Sequence, residues 1–195
     1  MSGVQPGPDG KPRCPWALGS EDYLGYHDTE WGRPLHGEAE LFERLTLEAF
    51  QSGLSWLTIL RKRENFRRAF DGFEIERVAE YGPKDVERLL GDAGIVRNRR
   101  KIEAAIANAK AARELHAKGD TLDGLIWSFA PEDPGSPPES LEDLEPTTTE
   151  SKALAKELKQ RGFVFVGPTT VYATMEAIGV VNDHLAGCAF RRVAD

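Results

Sequence analysis

Apolar residues recur at helical spacing along most of this chain. Between Gly37 and Ser52, Leu41, Phe42, Leu45 and Ala49 fall on one side of a 3.6-residue period, which predicts a helix. The pattern resumes from Ser55 to Phe70 through Trp56, Ile59, Leu60, Phe66 and Phe70. Pro83 suits the first turn of a short third helix, because proline lacks the N–H that a helix start leaves unbonded. Its apolar side is Val86, Leu89 and Leu90, and a turn follows at Gly91-Asp92-Ala93-Gly94. A long helix is predicted from about Asn98 to Ala117 on Ile102, Ala105, Ile106, Ala109 and Leu115, and a shorter one from Thr121 to Phe129.

Residues 130–146 hold five of the twelve prolines and read as an exposed acidic loop. Thr147-Thr148-Thr149-Glu150 then fits a capping box that launches a helix with Leu154 and Leu158, ending near Gly162. Pro168 starts the last helix, through Tyr172, Met175 and Ile178 to Gly179. Phe163-Val164-Phe165-Val166 is the one strand-like run, and four residues make no sheet alone. The predicted class is all-α. Residues 1–13 read as a loose, flexible extension ahead of one unit over 14–195, in two helical lobes sharing an interface.

With 195 residues the chain is long enough to bury its own core. No apolar run approaches the ~20 residues that span a bilayer. Residues 1–13 also lack the apolar centre of a signal peptide, so no membrane and a cytoplasmic location are expected. The net charge of −7 argues against a nucleic-acid partner only until its distribution is considered. Residues 119–151 carry nine acids and no Lys or Arg, and the remainder sums to +2. Two stretches, 61–68 and 97–101, each carry +4. Local patches of this kind, not the total, set affinity for phosphate.

Four features could carry chemistry. Glu48, three residues after Leu45, falls inside an apolar stripe, where a carboxylate is costly unless bonded or used. It could serve a ligand, cap backbone amides, or sit where a helix end splays to solvent. Tyr26, Trp31 and Trp56 sit in polar or turn-like surroundings, on loops from which rings could stack a planar, cationic ligand or simply pack in the core. Trp16 and Trp127 read as packing, and His36 and His116 receive no role.

His184 and Cys188 are spaced four apart, on one face of a helical turn, with Cys14 and His27 near the other terminus. Together they would make a closed tetrahedral zinc site with a structural role. A free thiol, a Cys14–Cys188 bridge and two ordinary histidines are the alternatives. Finally, the two helices of 83–117 flank a glycine turn followed by Arg97, Arg99, Arg100 and Lys101. Such a hairpin can aim N–H groups and cations at a phosphodiester, or be a plain helical hairpin with a solvated basic face.

Six blocks, in order, carry a resemblance from about Cys14 to Cys188. They are residues 26–32 (YHDTEWG), 47–56 (LEAFQSGLSW), 62–66 (KRENF), 92–97 (DAGIVR), 161–167 (RGFVFVG) and 181–184 (VNDH). In these the chain resembles the DNA-3-methyladenine glycosylase I family, a branch of the helix-hairpin-helix glycosylases.

The resemblance implies a glycosylase domain over 14–195 that extrudes 3-methyladenine from alkylated double-stranded DNA. It would hydrolyse the N-glycosidic bond without strand cleavage and leave an abasic site. Cys14, His27, His184 and Cys188 match the family's structural zinc ligands, one ion joining the two termini. Glu48 matches the pocket carboxylate, and Tyr26, Trp31 and Trp56 the aromatic walls. Gln51, Gly53 and Leu54 match the segment entering the gap left by the flipped nucleotide, and Gly94, with Arg97, Arg99 and Lys101, the DNA-gripping hairpin. The hairpin departs from the family's Leu-Pro-Gly-x-Gly form, and residues 1–13 precede its usual start. No protein partner is indicated, and a monomer is expected. A non-catalytic, zinc-stapled DNA-binding module would need the basic patch but not a carboxylate among aromatics. A zinc hydrolase would need an open metal position that four protein ligands fill.

Overall fold

A computed structural model describes residues 3–191. The first two residues of the expected extension and the last four of the expected 14–195 unit lie outside the described residues. Nine α-helices form among the described residues: α1 (Glu21–Thr29), α2 (Glu38–Gln51), α3 (Trp56–Ala69), α4 (Ile75–Ala79), α5 (Pro83–Gly91), α6 (Arg99–Ala117), α7 (Leu122–Trp127), α8 (Thr149–Gln160) and α9 (Pro168–Ala177). The all-α prediction matches this architecture, and several helices start where a side chain supplies a cap. Ser55 accepts from the Thr58 N–H, and Asn98 from the Lys101 N–H.

Helix α2 is the axis of the fold. Its residues from Leu41 to Phe50 are buried without a break, because α3, α4, α6, α7 and α9 all pack on it. Polar groups on such a helix need partners. Arg67 of α3 donates to both oxygens of Glu43, at 2.9 and 2.8 Å. A phenylalanine cluster fills one end: Phe50 meets Phe66 edge-on at 4.8 Å, and Phe70 stacks on Phe73 at 5.5 Å. Each such ring contributes about 1.5–3 kcal/mol relative to exposure. The apolar core runs as one cluster from Cys14 to Cys188.

Four local expectations are corrected. Residues 5–13 are not loose: Gln5–Pro6 pairs antiparallel with Pro12–Arg13, and Arg13 is buried in an ion pair with Asp28. Tyr26 stands on a helix, α1, where a loop was expected. The N-cap of α8 is Thr148, reciprocated by Ser151, one residue later than the predicted Thr147–Glu150 box. Phe163–Val166 forms no strand. Phe165 adopts a left-handed φ of 56°, and the backbone of Val164 pairs instead with the Asn108 side chain, at 3.0 and 2.7 Å.

The C-terminal segment returns to the N-terminal hairpin. The Ala189 N–H donates to Pro12 O at 2.9 Å, and the Arg13 guanidinium lies 4.6 Å from the Phe190 ring centre. The acidic loop 130–146 is largely exposed, with one short 3-10 turn at Leu141–Asp143.

Candidate active site and metal centre

A cavity of about 260 Å³ opens between α1, α2, the start of α3 and α9. That is just under the ~300–1,000 Å³ of sites for drug-sized ligands, a scale suited to one small planar molecule. Its lining is aromatic and acidic: Trp16, Tyr23, Tyr26, Trp31 and Trp56 with Glu48, Gln51, Ala173 and Glu176. The rings brace one another at steep angles. Trp16 meets Trp31 at 5.0 Å and Tyr23 at 5.8 Å, both nearly edge-on, while Tyr26 tilts against Trp56 at 5.4 Å. Edge-to-face packing of this kind fixes ring orientation without a ligand.

Glu48 lies in the last turn of α2, buried and not splayed to solvent. Burial pushes its carboxyl up to about 7, against the opposing pull of Arg44 one turn earlier. Arg44 is itself buried. It donates to Tyr26 Oη at 3.2 Å and to Glu30 at 3.4 Å, and its guanidinium lies 5.4 Å from the Tyr26 ring and 5.6 Å from the Trp56 ring. Glu30 is held in turn by a bidentate pair from Arg63, at 2.5 and 2.9 Å. Arg44, Glu30 and Arg63 therefore form a fixed lattice of charge beside the cavity's rings and the Glu48 carboxyl, which burial pushes up to about 7.

Glu176 of α9 adds a second carboxyl to the lining. Burial, then the like charge of Asp183 and its hydrogen bond, then Glu48, raise its pKa well above the ordinary range. Tyr172 bonds the same Asp183. Sequence reasoning missed Trp16, Tyr23, Ala173 and Glu176. Tyr23 shares a helix face with Tyr26 three residues on, and Glu176 interrupts an apolar run as Glu48 does.

On the opposite side of Trp31, the donor atoms of Cys14, His27, His184 and Cys188 lie within 4.8 Å of one another, all buried. Cys188 Sγ is 3.5 Å from His27 Nε2 and 3.4 Å from His184 Nδ1, and Cys14 Sγ is 3.9 Å from His184 Nδ1. Metal–sulfur and metal–nitrogen bonds of ~2.3 and ~2.0 Å in a tetrahedron give sulfur–nitrogen edges of roughly 3.6 Å. The spacing fits. Both outer ring nitrogens are already engaged: His27 Nδ1 with Asp28 at 2.8 Å and His184 Nε2 with the Trp31 carbonyl at 3.0 Å. Asp28 is gripped by Arg13, whose Nη2 donates at 2.7 Å. This outer shell orients histidine ligands toward a metal. Gly32, with φ of 71°, passes close beside it, since a Cβ there would stand 2.9 Å from His184 Cδ2. Both cysteines are free, so the disulfide alternative does not form.

The residues expected to meet DNA divide into three places. Gln51 lines the cavity, and Gly53 and Leu54 follow it in an exposed turn, Gly53 at φ of 79°. Gly94 tops the turn between α5 and α6, where its N–H donates to Asp92 at 2.7 Å, with Arg97 and Arg99 exposed beyond it. Arg99 pairs with Glu87 at 2.6 Å. Lys101 is a correction. Its side chain turns inward, and its Nζ donates to the Phe50 and Ser52 carbonyls at 2.8 and 2.5 Å.

Comparison with known proteins converges on one family. The methyladenine glycosylase family model matches residues 16–192. DNA-3-methyladenine glycosylase 1 of Escherichia coli (strain K12) is 45% identical over 177 residues, covering 90% of this chain and 95% of that protein. A crystal structure of 3-methyladenine DNA glycosylase I superposes with a TM-score of 0.89 at 45% identity, over 92% of this chain and all of that one. The Staphylococcus aureus enzyme, in a structure addressing 3-methyladenine recognition, gives 0.87 at 36% identity over 94% and 98% of the two chains.

Proposed function

The chain belongs to the methyladenine glycosylase family, and from that premise we propose that it excises 3-methyladenine from alkylated duplex DNA in base-excision repair. Water would cleave the N-glycosidic bond, leaving an abasic site and an intact strand. One observation carries the reading: a buried carboxyl, Glu48, lines an aromatic cavity of about 260 Å³, the scale of a single extruded purine.

A base in a duplex is out of reach, so it must be extruded at a cost of a few kcal/mol in stacking and pairing. Alkylation weakens that pairing. N3-methylation also gives the nucleoside's purine a positive charge and makes it a good leaving group, so little acid catalysis is required. What the site has to supply is discrimination. Ionised Glu48 favours a cation over neutral adenine by charge and by accepting a hydrogen bond, and Trp16, Tyr26, Trp31 and Trp56 offer faces and edges for stacking. Arg44 keeps Glu48 partly ionised despite burial. Among the described residues no lysine lines the cavity, so the reaction proposed is hydrolysis and not Schiff-base lyase chemistry.

The soft donor set of Cys14, His27, His184 and Cys188, with both histidines pre-oriented, suits one zinc ion per chain. Such an ion would supply cross-linking only, because four protein ligands fill its tetrahedron. The turn at Gly53-Leu54 and the hairpin at Gly94 with Arg97 and Arg99 are the surfaces offered to the duplex. We take residues 14–195 as one catalytic unit, acting as a monomer in the cytoplasm.

The direct test incubates the zinc-loaded protein with methylated duplex DNA and measures free bases. Release of 3-methyladenine with uncut strands is expected. Well-folded protein that binds the duplex but frees no base would instead make the chain a non-catalytic binder.

A further inference from the structure

Lys101 is bonded to backbone carbonyls at the end of α2. The last turn of α2 carries no basic residue of its own, so its terminal carbonyls lack a local cation. The ammonium of Lys101, brought across from the first turn of α6, supplies one: it bonds Phe50 O and Ser52 O, and the residue is only 9% exposed. These two carbonyls bracket Gln51, which lines the cavity. Just beyond them the chain turns at Gly53 and presents Leu54, 41% exposed, whose N–H bonds Gln51 O at 2.6 Å.

A reciprocal clamp lies alongside. Helix α3, which follows Leu54, sends Lys62 to Ala93 O and Gly94 O at 3.1 and 3.3 Å, and Asn65 to Gly94 O at 3.1 Å. The turn before α3 is therefore held by the helix after the hairpin, and the hairpin is held by α3. Each surface offered to DNA is tied down by the element that flanks the other.

Building on the glycosylase reading, we propose that Lys101 is a positioning residue that locks the 52–55 turn to the DNA-gripping hairpin. Leu54 then stands in place, beside the cavity, before a base is extruded. A preformed wedge spends no conformational freedom during extrusion, whereas a loose one must be ordered in the same step.

Three measurements on Lys101→Met, with K101Q as a second neutral variant should K101M not fold, test this. Hydrogen exchange at the Leu54 amide should quicken at least about tenfold, and single-turnover base release from duplex DNA should fall roughly 10- to 100-fold. The L54A/K101M double variant should be no slower than the slower single variant, since both remove one device. The slope of log affinity for DNA against log salt should stay as in the wild type. A slope smaller by about one would instead make Lys101 a phosphate contact and overturn the proposal. So would unchanged exchange in the turn, or losses from L54A and K101M that simply multiply. Wild-type protein that frees no base would sink the glycosylase reading alone, because the exchange measurement still decides the role of Lys101.

Discussion

Replacing Glu48 by glutamine should stabilise the protein while crippling it, and the pH dependence of the gain identifies the cause. In the folded chain burial holds the Glu48 carboxyl at about 7, against 4.5 ordinarily. Between those values the folded state keeps a proton that the unfolded state has released, so stability falls as pH rises through that window. The interval of about 2.5 pH units is worth about 3 kcal/mol, at roughly 1.36 kcal/mol per unit, and the full cost is present above pH 7. Glutamine has nearly the same shape and never ionises. E48Q should therefore match the wild type near pH 4.5 and exceed it by up to about 3 kcal/mol at pH 8, a rise of roughly 6–12 °C in Tm. Urea titrations at the two pH values measure this directly. Base release by E48Q should fall about 10- to 100-fold, from loss of a charged hydrogen-bond acceptor. Equal stability at pH 8, or a gain that is the same at both pH values, would refute the reasoning.

Three further outcomes are expected. Cys14→Ala should lose stoichiometric zinc, seen by elemental analysis, and at least about 3 kcal/mol of stability, lowering Tm by roughly 6–12 °C, with turnover per folded molecule little changed. Trp16→Ala, which removes the ring bracing Trp31 at 5.0 Å, should slow single-turnover excision about 10- to 100-fold while the fold survives; an effect under about twofold would take Trp16 out of the site. Arg97→Ala should weaken binding evenly across DNA sequences and reduce the salt slope by about one, as measured by titration at several ionic strengths.

The helices that could be read from the sequence include the short α5 and α7, but most are those whose stability comes from a long apolar stripe. Helices α2, α3, α6, α8 and α9 each bury one, and their ends are marked by Ser55, Asn98, Pro168 and the threonines before Glu150. Helix α1 was missed because it buries only Tyr26 and His27, and so short a polar helix persists through tertiary contacts, not through its own pattern. The N-terminal hairpin, with two residues per strand, is too short for any periodicity to register. Its order comes from Arg13, whose partners Asp9 and Asp28 are recognisable only in three dimensions.

The candidate site shows the same division. Glu48 stood out as a charge within an apolar stripe, yet the same test applied to α6 would have found Lys101. It shares the inward face with Ala104, Ala105 and Asn108, all buried. Proximity to Arg97, Arg99 and Arg100 suggests a basic patch, but each step along a helix turns by about 100°, so Lys101 lies about 200° from Arg99 and faces inward. Trp16 read as packing because only closure of the chain brings it beside Trp31. Glu176 reaches the cavity from a helix some 130 positions after Glu48, a juxtaposition no local window contains.

The gathering of Cys14 and His27 with His184 and Cys188 has a consequence for how the protein is made. During synthesis the residues of α1 to α6 are made well before His184 and Cys188, so the second half of the sulfur–imidazole cluster follows the first only after most of the helices have been translated. The wall bearing Glu176 arrives at almost the same moment. A product truncated before α9 would thus lack both of those donors and one side of the cavity.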